Sequence, residues 1–170
     1  MRIVSGGQTG VDRGALDAAR HLGIPHGGWC PRGRLAEDGV IPPEYELRET
    51  ESREYPVRTE RNVHDSDGTL ILYRRTLSGG TALTHRFCRK HAKPHCLIDL
   101  IDDSRPIAAR TEVVRGWLAK HRIRVLNVAG PRESNEPGIQ RESAEFLTRV
   151  FTDDSSRGRV TNGTTNSNGS

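Results

Sequence analysis

The apolar pair Ile3-Val4 runs directly into Ser5-Gly6-Gly7-Gln8-Thr9-Gly10-Val11-Asp12-Arg13-Gly14, and few folds accommodate such a junction. A short buried strand that passes through glycines into a helix brings backbone N–H groups to a positive helix end, where an anion is favoured. Gly6, Gly7 and Gly10 let the backbone turn and approach a ligand closely, while Gln8, Thr9 and Asp12 can bond to it. The spacing is neither the dinucleotide fingerprint nor the phosphate loop that ends in Gly-Lys-Ser/Thr. NAD, FAD and ordinary triphosphatase readings lose ground accordingly. Without further support the motif also reads as a tight strand-to-helix turn that holds no ligand.

The rest of the chain supplies that support. Ala15, Leu16, Ala19 and Leu22 recur at helical spacing, and Gly23 with Pro25 stops the helix. Residues 26–50 are rich in Gly and Pro and read as a long loop, ordered by Trp29, Cys30, Tyr45 and Leu47. Arg53-Glu54-Tyr55-Pro56-Val57-Arg58-Thr59 reads as a short strand. Residues 68–73 have the continuous apolar character of a buried parallel strand. A second glycine turn follows, Ser78-Gly79-Gly80-Thr81, and then a helix with Leu83, Phe87 and Cys88 on its apolar side.

A third strand covers 96–100, and Pro106 opens a helix that carries Ile107, Val114, Trp117 and Leu118. A fourth strand, 124–129, exits through Gly130-Pro131-Arg132-Glu133-Ser134. The last helix, about 138–151, turns Ile139, Phe146, Leu147, Val150 and Phe151 inward. Strands alternating with amphipathic helices predict an α/β, Rossmann-like three-layer sandwich with a mainly parallel sheet. A single ligand-binding domain is expected over 1–152, followed by a disordered polar tail over 153–170.

The formal net charge of +4 is modest and scattered, with no basic run interleaved with aromatics. It suits a small anionic ligand better than a nucleic acid. The three cysteines lack a framework spacing, and no apolar run approaches a membrane span. The expectation is a cytoplasmic protein with reduced thiols and no membrane partner.

Three strand ends therefore offer polar loops, and ligands of open α/β sheets collect where such loops converge. Arg13 and Arg132 add planar guanidinium donors for a phosphate or other tetrahedral oxyanion. Arg32 and Arg34, flanking Gly33, are candidates to close over the ligand. No loop supplies an obvious nucleophile, so no catalytic residue is assigned. Asp65-Ser66-Asp67 is read first as turn chemistry and second as a source of catalytic carboxylate. His85, Cys88, His91, His95 and Cys96 lack a compact metal-ligand pair, so no metal ligands are assigned among them. Cys30 is read as a packed loop thiol, or else as a ligand to a soft metal.

At these residues the sequence resembles the molybdenum cofactor carrier proteins, Rossmann-like relatives of the so-called lysine decarboxylases and the cytokinin-activating LOG enzymes, the SLOG group. The matching pieces include Ser5-Gly6-Gly7-Gln8-Thr9-Gly10-Val11-Asp12-Arg13, Gly28-Trp29-Cys30-Pro31-Arg32-Gly33-Arg34, Arg58-Thr59, Gly79-Gly80-Thr81 and Leu126-Asn127-Val128-Ala129-Gly130-Pro131-Arg132-Glu133-Ser134. The resemblance implies a homo-oligomer, tetramer or dimer, that binds molybdenum cofactor (molybdopterin), or molybdate or tungstate, and delivers it to molybdoenzymes or cofactor-insertion proteins. After Gly79-Gly80-Thr81 the chain reads Ala82-Leu83-Thr84-His85, without the Glu of the LOG phosphoribohydrolase motif. The alternative is a nucleotide-binding sensor or a hydrolase of nucleotide derivatives at the same edge, with Asp12, Asp65 or Glu133 as its carboxylate.

Overall fold

The computed structural model describes residues 1–152, and the expected tail, 153–170, lies outside the described residues. Five parallel strands form the central sheet: β1 (Arg2–Val4), β2 (His26–Gly27), β7 (Gly68–Tyr73), β8 (His95–Asp99) and β9 (Val125–Ala129), in the order β2-β1-β9-β7-β8. The last strand is thus threaded between the first and β7. Its register sets Val4 opposite Asn127 and Gly68 opposite Leu126.

Leu70, Ile71 and Leu72 are fully buried, as a central strand covered on both faces requires. Leu70 and Leu72 belong to the main core with α1 (Val11–His21), α4 (Ile107–Lys120) and α5 (Ile139–Phe151). By alternation Ile71 faces the opposite layer, where α2 (Tyr55–His64) packs on α3 (Gly79–Lys90). The α/β sandwich expected from the sequence is the fold observed.

Three local expectations change. Residues 55–64 form helix α2 where a strand was expected over 53–59: Pro56 sits in the first turn, where no N–H is needed. The segment 26–50 is built of short paired strands rather than loop alone. Besides β2 it holds β3 (Trp29–Cys30) parallel to β6 (Arg48–Glu49), and β4 (Leu35–Ala36) antiparallel to β5 (Gly39–Val40). Its order comes from a second apolar cluster, in which Leu16 of α1 meets Cys30, Ala36, Ile41 and Tyr45. Helix α3 buries Thr81, Thr84 and Cys88, while Leu83 and Phe87 are only half-buried.

Candidate functional site

The carboxyl ends of β1, β9 and β7 are neighbours in the sheet, and a cleft of about 350 Å³ opens there. The three polar loops converge on it as the sequence implies. Gln8 and Asp12 come from the first loop, Ser78, Gly79, Gly80 and Thr81 from the second, and Gly130 and Arg132 from the third. Helix α2 adds a fourth wall with Tyr55, Arg58 and Thr59.

The helix end that accepts an anion most readily belongs to α3, not α1. At α1 the Val11 amide donates to the Pro131 carbonyl at 3.1 Å and the Gln8 amide to Asp12 Oδ2 at 3.3 Å. Gly10 adopts φ +80, and a Cβ there would lie 2.4 Å from that same Pro131 oxygen. The first glycine turn therefore serves a close approach between two stretches of the chain. At α3, by contrast, Ser78 O accepts the amides of Thr81 and Ala82 at 3.0 and 3.1 Å. Among the described residues the Gly79 and Gly80 amides have no acceptor, and the space where their Cβ atoms would sit is open. Two free N–H groups at a positive helix end thus belong to residues that line the cleft.

Two guanidinium groups lie near the Tyr55 ring, with Arg58 Cζ 5.9 Å and Arg132 Cζ 5.5 Å from its centroid. Arg58 Nη1 donates to Asp12 Oδ2 at 3.0 Å. Burial pushes the Asp12 carboxyl above its ordinary value, and the adjacent Arg58 charge opposes that rise. Asp12 is the one acidic residue among those lining the cleft.

Residues 3–151 match the Circularly permutated YpsA SLOG family. The chain belongs to that family. This SLOG protein also resembles the crystal structure of a "Putative molybdenum carrier protein" from Syntrophus aciditrophicus. The two are 46% identical, with a TM-score of 0.85, over 89% of this chain and 94% of the other. No curated protein matches it. The resemblance read from the motifs is thereby shown at the level of family and fold.

Other expected site residues of this SLOG protein hold the chain together outside the cleft. Arg13 grips Asp38 through two bonds, 2.5 and 2.7 Å, and its Nε donates to Gly7 O. Arg34 donates to four backbone carbonyls in its own segment, and Arg32 is exposed beyond the cleft. The Ser5 hydroxyl donates to Val128 O at 2.7 Å. Glu133 accepts the amides of Gly138 and Gln140 and so caps α5. The hydroxyls of Thr9 and Ser134 both donate to Glu37. Gly6 and Gly7 are not among the lining residues, and a Cβ on either would run into the side chain of Arg58 or Leu47 respectively.

Asp65 binds the Trp29 indole N–H at 2.8 Å and does not line the cleft. Asp67 accepts the Arg124 and Val125 amides, both at 2.8 Å, and so closes the turn onto β9. Cys30 is fully buried in the second apolar cluster, and burial pushes its thiol up. His91 bonds Glu60, and His85 packs edge-on against His95. Among the described residues no group of three or more His, Cys, Asp or Glu is placed to hold a metal ion.

Tyr55 and Arg58 are what residue-by-residue reasoning on the strand ends missed. The signal was present as Arg58-Thr59 within the family-like string, but an assumed strand over 53–59 gave it no place at the sheet edge.

Proposed function

We propose that the cleft binds a small anionic ligand, molybdenum cofactor, and that the protein protects and delivers this cargo rather than transforming it. The observation that carries the reading is the pairing of two free helix-start amides, Gly79 and Gly80, with the Arg132 guanidinium at one cleft, Arg58 being held by Asp12. A phosphate at the α3 start is the terminal group such amides accept, and about 350 Å³ lies within the usual range for small-molecule sites. The residues lining the cleft include no Cys and no His. That suits a cargo whose own dithiolene holds its metal.

Molybdate or tungstate is the smaller ligand that the same donors accept. The carrier acts in the cytoplasm as a homo-oligomer, dimer or tetramer, and hands its cargo to molybdoenzymes or cofactor-insertion proteins. The wider similarity to a protein described as a molybdenum carrier supports this reading.

Protein purified without oxygen is expected to release, on denaturation, a pterin together with molybdenum or tungsten, detected by mass spectrometry and elemental analysis. Arg132→Ala should lose about tenfold in affinity, the loss expected for one charge-assisted contact, and retain correspondingly less ligand through purification. Recovery of a nucleotide without metal would overturn the carrier reading. It would favour the alternative in which Asp12, the carboxylate at the cleft, serves a nucleotide hydrolase; Asp12→Ala would then abolish hydrolysis of a nucleoside monophosphate.

A further inference from the structure

The two edges of the central sheet are guarded differently. At one edge β2 is two residues long. At the other, β8 runs for five residues and includes neither Lys nor Pro, residues that commonly keep a strand edge from pairing. The ladder to β7 fixes which backbone groups of β8 remain. Thr69 donates to Pro94 O at 3.0 Å and Leu100 donates to Tyr73 O at 2.8 Å. By alternation Cys96 and Ile98 also turn their amides and carbonyls toward β7, while His95, Leu97 and Asp99 turn theirs outward. Among the described residues nothing partners the N–H and C=O groups of His95 and Leu97, or the N–H of Asp99.

Side chains at this edge are left uncovered as well. Cys96 and Ile98 enter the main core, whereas Leu97, on the opposite face, is 37% exposed. Helix α4 packs against β8 and leaves Ile107 and Val113 exposed. Val113 is on the side of α4 away from α5, because Arg115, two residues along the helix, bonds Val150 O of α5 at 2.9 Å.

We infer that β8 is the surface on which two copies of this chain pair, antiparallel about a two-fold axis at Leu97, to form one continuous sheet. The pattern is self-complementary. The axis sets Leu97 opposite Leu97 of the second copy, each amide donating to the other's carbonyl, and brings the free Asp99 amide to the free His95 carbonyl. It also sets the His95 imidazole opposite the Asp99 carboxylate on both sides of the axis, so like charges do not oppose one another across the pair. The axis stands perpendicular to the sheet, so both α4 helices fall on one face, and Val113 of each adds apolar area to what a strand pair alone buries. This inference rests on the homo-oligomer proposed above, whose surface it names, and is independent of what the cleft binds.

Sedimentation velocity of the full chain at micromolar concentration should give a particle of at least twice the 18.9 kDa chain mass. Leu97→Lys, at an exposed position, sets two like charges together on the axis and should halve the mass of that particle. Leu97→Cys should cross-link to its counterpart under diamide, giving a doubled band on a non-reducing gel. A hydrogen-bonded antiparallel pair holds its Cα atoms about 5.5 Å apart, within disulfide range, and the three native cysteines are buried.

Hydrogen exchange on the unaltered protein guards against variants that do not fold. The Leu97 and Asp99 amides should be protected at high concentration and lose that protection on dilution. An oligomer whose mass Leu97→Lys leaves unchanged, with no cross-link in Leu97→Cys and no protection at those amides, overturns the inference and leaves a homo-oligomer built on another surface. A monomer at every concentration overturns the inference and the homo-oligomer together.

Discussion

Arg34 donates to the carbonyls of Ile41, Pro42, Tyr45 and Leu47, which leaves no forked pair of N–H groups for an anion. Arg132 has the opposite surroundings: it stacks near Tyr55, stands 3.7 Å from Glu37 and faces the cleft. Two substitutions should therefore separate stability from binding. Arg34→Ala strands several carbonyls and should lower unfolding free energy by about 2 kcal/mol in urea denaturation. Arg132→Ala should stay within about 0.5 kcal/mol of the parent in the same measurement, as surface substitutions generally do, while losing ligand. The reverse pattern would mean that Arg34 contacts the ligand. In the sequence alone, Arg13, Arg32, Arg34 and Arg132 all read as oxyanion donors. What assigns Arg13 and Arg34 elsewhere is the path of residues 26–50, which brings Asp38 and a row of carbonyls to them, and nothing local to either arginine encodes that path.

Legibility at the scale of elements followed the chemistry of the buried face. Strand β7 and helix α5 were readable because Leu70, Ile71, Leu72, Phe146, Leu147 and Val150 are apolar and buried. Helix α2 buries Thr59, Asn62 and Val63, so it shows no apolar period, and Val57 with Thr59 looks like strand. Its polar face is satisfied instead by specific bonds. Asn62 Oδ1 accepts the Trp29 amide at 2.8 Å and Asn62 Nδ2 donates to Trp29 O at 2.9 Å, so the side chain docks α2 onto β3 as a neighbouring strand would. Asn62→Ala leaves both Trp29 backbone groups without partners and should destabilise the protein by about 2–3 kcal/mol. Chemical denaturation checks this, and a loss below about 0.5 kcal/mol would show that the docking is made by packing alone. The α3 start at Gly79-Gly80 was legible for the converse reason: open glycines beside a hydroxyl residue at a strand end have little else to do.

At the scale of the whole molecule, β9 lies between β1 and β7, and residues more than a hundred positions apart meet at one cleft. Convergence of the three loops was legible, because parallel strands send their carboxyl ends to one edge. That the β9–α5 connection would cover the α1 start was not, since it depends on where Pro131 crosses Gly10. Beside its apolar cluster, the segment 26–50 is fastened over this assembly by two carboxylates. Asp38 holds Arg13, and this bond keeps its carboxyl below its ordinary value. Burial pushes the Glu37 carboxyl up, but the bonds from Ser134 and Thr9 more than offset it and leave it lowered as well. A carboxylate whose pKa is lowered by folding contributes stability above its unfolded value and loses that contribution as pH falls through the folded one. Both clasps should therefore hold at neutral pH and weaken below about pH 4, where unfolded Asp and Glu begin to take up protons. The apolar side chains of Leu70, Ile71 and Leu72 do not titrate, although Asp67, held below its ordinary value by the Val125 and Arg124 amides, gives the very start of β7 a similar dependence. Hydrogen exchange, corrected for intrinsic rates, should show amides 33–41 opening in acid while amides of β7 remain protected. Asp38→Asn should reproduce part of that opening at pH 7. Joint loss of protection in segment and core at every pH would mean that the two carboxylates add nothing measurable to the hold of the cluster of Leu16, Cys30, Ile41 and Tyr45.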